Sequence, residues 1–173
     1  MNNVLRNEYL NNIRRWAKSD KEYVLELPTD PNNCLTCVCT AKPEPSTRQW
    51  WESKLRLTFT CYSNPYWTSK AQKSVSCGTS FTVLGDAPPL MQIKRTVSGS
   101  SVSNQSYSNS VQTMTFITIP VGDMVIDLNN QTAAVGNNSI MQYYQPSGSF
   151  IIPKTGTQTI TGTGTVYYKE RFE

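Results

Sequence analysis

The sequence predicts a mainly β protein that ends in an antiparallel β-sandwich. Three observations carry this. Short runs with alternating apolar positions recur at spacings of about 8–12 residues, separated by Gly, Pro and Asn turn signals. Apolar residues make up 38% of the 173 and charged residues 16%, both low for a globular domain. Ser, Thr, Asn and Gln fill the difference, and they suit solvated strand faces better than helices. The second half carries strand patterns with no helix signal, which points to an antiparallel sandwich.

Residues 3–18 are the exception. Leu5, Tyr9, Ile13 and Trp16 recur at helical spacing and form one apolar stripe. Arg14, Arg15 and Lys18 fall near the C-terminal end of this helix, where cations complement its dipole. Residues 22–27 then alternate, with Tyr23, Leu25 and Leu27 inward. PTDPNN at 28–33 is a turn cluster, and residues 34–42 alternate again until Pro43 and Pro45. Residues 50–62 read as one long strand, with Trp51, Leu55, Leu57, Phe59 and Cys61 on a shared face.

GDAPP at 85–89 marks an expected boundary, where proline stiffens a linker or starts an edge strand. Composition changes across it. Residues 1–77 hold 11 of the 16 Lys and Arg, and 78–168 hold only Lys94, Arg95 and Lys154. Two domains are therefore expected, 1–84 and 85–173. In the second, residues 90–97 and 111–119 read as strands around a polar loop at 98–110. Met124, Ile126 and Leu128 alternate before the Asn129-Asn130 turn. An apolar run at 150–152 is stopped by Pro153. TGTQTITGTGT reads as a bulged hairpin, and Val166 and Tyr168 alternate with Thr165, Tyr167 and Lys169 in a final strand.

Several functions are disfavoured. The net charge of +4 is dispersed, with no basic run interleaved with aromatics, so nucleic acid is not an expected partner. No apolar run approaches about 18 residues, so no membrane span is expected. The start MNNVLRNEYL has no apolar signal core. Histidine is absent, which removes the commonest general base and metal ligand. The five cysteines, an odd number without a signal peptide, suit reduced thiols made in a cytoplasm.

Cys34, Cys37 and Cys39 form CLTCVC, half of a zinc or redox signature. Their strand context points Cys37 and Cys39 to one face and Cys34 to the other. That favours small buried hydrophobes over a metal site, and no cofactor is expected. Trp50 and Trp51 lie at a strand entrance and face opposite sides, so one is available to an interface. Asp123 and Asp127 share a face roughly 13 Å apart, too far for paired glycosidase carboxylates, and read as turn and solvent-face residues. The Gly-Thr repeat lacks the helix and lysine of a phosphate loop. No catalytic residue is expected.

Three stretches together resemble the distal tail protein family of long-tailed, siphovirus-type bacteriophages. The helix with strand 22–27 and Asp30-Pro31 is similar to the family's N-terminal ring domain. LRLTFTCYSNPYW (55–67) resembles the strand and Pro-aromatic junction that close that domain. VGDMVIDLNNQTAAVGNN (121–138) resembles its Gly-Asp-x-hydrophobic-hydrophobic-Asp strand followed by a Gly-Asn hairpin. The resemblance implies a partial ring-forming domain, one helix plus strands, followed by a galectin-like β-sandwich. It also implies a hexameric ring in the virion tail tip, made in the host cytoplasm and used in host attachment. The implied partners are the tail tube, the tape measure, and a tail-associated lysin, fibre or receptor-binding protein of the baseplate. Trp50, Trp51, Tyr66, Trp67, Tyr143 and Tyr144 are the candidate interface residues. The family's ring domain begins with further belt strands before the helix. A separate chain is thus expected to supply that part, or the chain is a shortened form, because strands at 22–62 need a covering sheet. The alternative is a carbohydrate-binding sandwich of a tail or surface adhesin, stacking sugars on Trp50, Trp51, Tyr143 or Tyr144.

Overall fold

The computed structural model describes residues 12, 22–39, 58–61 and 65–173, and the backbone of 44–49 and 52–56. The helix expected over residues 3–18 lies outside the described residues apart from Asn12. The chain forms two compact units, 1–65 and 66–173.

In the first unit, β1 (Glu22–Leu27) and β2 (Asp30–Cys39) form an antiparallel hairpin. The expected turn cluster shortens to Pro28-Thr29, because Asp30 already pairs with Leu27 and its carboxylate accepts from Asn33 Nδ2 at 2.9 Å. The alternation holds: Val24 is 62% exposed while Cys37 and Cys39 are buried. Leu27 is an exception, exposed beyond a register shift after Leu25. The stretch 50–62, expected as one strand, contains two with different partners. β3 (Glu44–Gln49) pairs with β4 (Glu52–Arg56), and β5 (Phe59–Thr60) pairs with β2.

The second unit is a sandwich. β6 (Trp67–Ser69), β7 (Lys73–Ser76) and β8 (Ser80–Val83) precede the long β9 (Ala87–Val97). Then follow β10 (Val102–Ser108), β11 (Thr113–Ile119), β12 (Gly122–Asp127), β13 (Thr132–Val135) and β14 (Asn138–Ser139). A 3-10 turn at Met141–Tyr143 leads to β15 (Gly156–Thr159) and β16 (Thr165–Phe172). One layer has the order β6-β16-β9-β12-β13-β14, with β7 beside β6 on the same edge of β16. The other consists of the pairs β10–β11 and β8–β15. Between them lies one core containing Met91, Ile93, Tyr107, Phe116, Ile126 and Val166, all essentially inaccessible to solvent.

Three differences from the sequence reading have clear causes. The polar loop expected at 98–110 contains β10. Its strand character is hidden by polar faces, since Ser106 and Ser108 bond through their hydroxyls to Thr115 and Thr161. One deep anchor, Tyr107, holds it, with its hydroxyl donating to the Thr163 carbonyl at 3.0 Å. The Gly-Thr segment is not a hairpin: β15 pairs with β8 and β16 with β9. Gly162, at φ +132, sits where a Cβ would meet the Tyr107 ring at 2.5 Å, so the tight passage itself demands glycine. Finally, Pro88 and Pro89 lie inside β9, at a register shift against β16 and beyond the part of β9 that β12 reaches. A missing N–H is tolerated at such a site.

β16 carries a charge on its inward side. Glu170 is 6% exposed, and its Oε1 accepts from Lys73 Nζ at 2.8 Å and from the Leu84 amide at 3.0 Å. Burial raises the Glu170 pKa, but the Lys73 and Leu84 hydrogen bonds outweigh it and the net shift is downward. A carboxylate with a depressed folded-state pKa stabilises the fold above its unfolded value, and this contribution is lost as pH falls through the folded value. We therefore expect Glu170→Ala to cost about 1–3 kcal/mol at neutral pH, from stranding both donors. Wild-type stability should fall as pH drops below the ordinary carboxylate value of 4.5, and Glu170→Gln should flatten that slope. Chemical denaturation across pH checks both.

Candidate functional site

A polar concavity in the second unit forms where β12, β13 and β14 meet the 3-10 turn. It is an open cleft of about 420 Å³ lined by Asp123, Asn138, Ser139, Gln142 and Tyr143, with Ile140 among its apolar wall residues. The sequence builds it from two tight backbone features. Gly122 has φ +135, and a Cβ there would lie 2.7 Å from Val135 Cγ1, so β12 can enter beside β13 only as glycine. Gly136, in the β13–β14 turn, donates its amide to the Asp123 carbonyl at 3.0 Å. Ile140 is buried and its amide bonds to Ala133, which roots the far wall.

The cleft offers neutral hydrogen-bonding chemistry. Asp123 is its one carboxylate, and that group is already held by the Thr96 hydroxyl at 2.6 Å. Neither Asn138 nor Gln142 spends its side-chain amide on another described residue, so both remain available to a ligand. The lining holds no thiol or amine. Such a set can exchange hydrogen bonds with hydroxyl or amide groups, and it carries no nucleophile–base pair.

The four described candidate aromatic residues are not brought together. Tyr143 lines the cleft. Tyr144 turns into the core instead: its ring lies 5.8 Å from Phe116 and 5.1 Å from Phe150, and its hydroxyl donates to the Gly148 carbonyl at 2.7 Å. Burial pushes that hydroxyl's pKa up. Tyr66 and Trp67 lie at β6, on the far side of β16 from β13, where Trp67 pairs with Phe172 and the Arg171 guanidinium stands 4.7 Å over the Tyr66 ring. Four strand spacings separate β6 from β13, about 19 Å. Trp50 and Trp51 lie outside the described residues.

Asp123 and Asp127 sit at the two ends of β12. Asp127 caps the following turn, accepting from the Asn129 and Asn130 amides at 3.0 Å each. Cys37 and Cys39 are buried on one face of β2, and Cys34 is half-buried on the other. No cluster of three or more potential metal ligands occurs among the described residues. No helix among them is long and apolar enough to cross a membrane. Sequence reasoning missed the cleft itself. Asn138 read only as part of a Gly-Asn hairpin and Gln142 as nothing in particular; the β12–β13–β14 meander and the 3-10 turn place both in one lining with Tyr143.

No family model and no curated protein matches the chain. Among solved structures it is similar to the crystal structure of the SPP1 Dit (gp 19.1) protein, a paradigm of hub adsorption apparatus in Gram-positive infecting phages. The TM-score is 0.74 at 16% identity, over 98% of this chain and 72% of that one. The chain has the Dit fold. At that identity the likeness is one of architecture: mainly β and antiparallel, with a sandwich in the second unit.

Gly122→Ala should destabilise the protein by about 1–3 kcal/mol, combining a strained φ with the Val135 contact. Urea titration of the two proteins measures it. An unchanged midpoint would mean that β12 and β13 separate freely and that the cleft wall is soft.

Proposed function

We propose that the protein is a structural component of a phage tail tip, a distal tail or baseplate hub subunit that acts by assembly and catalyses no reaction. The observation that carries this reading is the Dit-like architecture across almost the whole chain. In this reading the first unit, with its exposed β1 positions Val24 and Leu27, supplies ring contacts. The sandwich presents its loops and the Tyr66-Trp67 stretch to neighbouring proteins. The ring is a homo-oligomer of six copies joining the tail tube to a fibre, lysin or receptor-binding protein, and the protein resides in the virion. A second chain or a ring neighbour covers the strands at 22–62. Purified protein examined by negative-stain microscopy should show closed six-fold rings, alone or after co-expression with a tail-tube partner. A monodisperse monomer under both conditions would overturn the ring.

One observation favours a second reading, carbohydrate binding. The Tyr143 cleft combines an aromatic face with two available amides, the composition of a neutral-sugar subsite. A glycan array read with the wild type and with Tyr143→Ala tests it. Binding that falls tenfold or more in the variant supports a sugar site, and a blank wild-type array removes it.

A further inference from the structure

The register of the first unit places two thiols opposite each other. β2 pairs with β5 through Val38↔Thr60 and Cys39↔Phe59. In an antiparallel ladder each step back on one strand is a step forward on the other, so the residue facing Cys37 is Cys61. Directly opposed residues have Cα atoms about 4.5 or 5.5 Å apart, depending on the type of pair, and project to the same face. Both separations fall within the roughly 4.4–6.8 Å range over which a disulfide closes without backbone movement. Both residues are unbridged cysteines.

We propose that Cys37 and Cys61 form a cross-strand disulfide site, oxidised by a small-molecule disulfide and closing the stretch of chain that carries the β3–β4 hairpin. The proposal does not depend on the assembly reading. The neighbouring thiols are excluded by geometry. Cys39 follows Cys37 by two positions on one strand, and its side chain projects parallel to that of Cys37. From Cys61, Cys39 is a diagonal neighbour at about 7–8 Å, beyond the closing range. Cys34 lies on the other face of β2.

The two thiols differ in a way that orders the reaction. Cys37 is 1% exposed, whereas Cys61 is partly accessible. Burial, and then the adjacent Cys61 and Cys39 thiols, hold the Cys37 pKa above the ordinary thiol value of 9.0. Cys61 therefore attacks first: its thiolate takes one sulfur of the small disulfide, and the other leaves as a thiolate. The Cys37 thiolate then attacks Cys61 Sγ and displaces the second small thiolate. Two protein S–H bonds are lost and one S–S bond forms. The two electrons reduce the small disulfide to two thiols, which take up the two protons. The product ties β5 covalently to β2, so the two strands can no longer separate.

The test uses the full chain and oxidised glutathione at mildly alkaline pH, followed by alkylation under denaturing conditions, proteolysis and mass spectrometry. The expected result is a dithiothreitol-sensitive species in which the peptide containing Cys37 is joined to that containing Cys61, with no glutathione retained on either. Cys39→Ser should form the same bridge, and Cys61→Ser should leave Cys37 alkylatable. Because the wild-type peptide map decides the pairing, the conclusion does not depend on the variants folding. A bridge from either residue to Cys34, Cys39 or Cys77, a stable glutathione adduct at Cys61, or full alkylation of both residues would overturn the proposal.

Discussion

The second unit depends on the double pairing of its last strand. β16 meets β9 along one edge and β7 and β6 along the other, so the C-terminal residues form the middle of a layer. Its inward positions are Val166, Tyr168 and Glu170. The first two join the apolar core, where the Tyr168 ring lies 5.0 Å from Phe81. The third is an acid in a place where acids are costly unless paired. Lys73 and the Leu84 amide meet that need, and in doing so they tie β7 and the β8–β9 junction to β16. One buried charge thus fixes where three separate segments converge.

The same economy of contacts shapes the functional surfaces. The core residues fill the space between the two layers, which leaves Tyr143 beside β13 and β14 and Tyr66 with Trp67 at β6, on the far side of β16. Tyr144, adjacent in sequence to Tyr143, is taken into the core because the Phe116↔Tyr144 bridge anchors the end of the 3-10 turn on β11. A single deep site would have gathered these rings on one wall.

Much of the fold was legible in the sequence where one face of a strand is dry and the other wet. Met124, Ile126 and Leu128 alternate in β12, and Val166 and Tyr168 in β16, because a two-residue period follows directly from the pleat. The β12 motif with its Gly122 was equally readable, and the glycine proves to be required by φ and by Val135. β10 was not legible, since its burial rests on Tyr107 while hydroxyl pairs satisfy its exposed positions. Nor was the division of 50–62 into two strands, because a shared apolar parity says nothing about which partner each half takes. Of the candidate site, Tyr143 was named from its aromatic character, but Asn138 and Gln142 carried no signal of their own.

By itself the sequence determined what local chemistry can determine: β character, which faces are dry, where glycine and proline punctuate the chain, and the lack of histidine. Pairing was decided only in three dimensions. Whether the Gly-Thr segment folds back on itself or crosses to β8 depends on contacts about eighty residues away, such as Gln158 with Phe81. Whether Cys37 faces another thiol depends on the register of β5, a strand of two residues. Strand pairing is a long-range choice among backbones that all offer the same donors and acceptors. It is settled by which side chains fill a common core, and so appears in no local pattern.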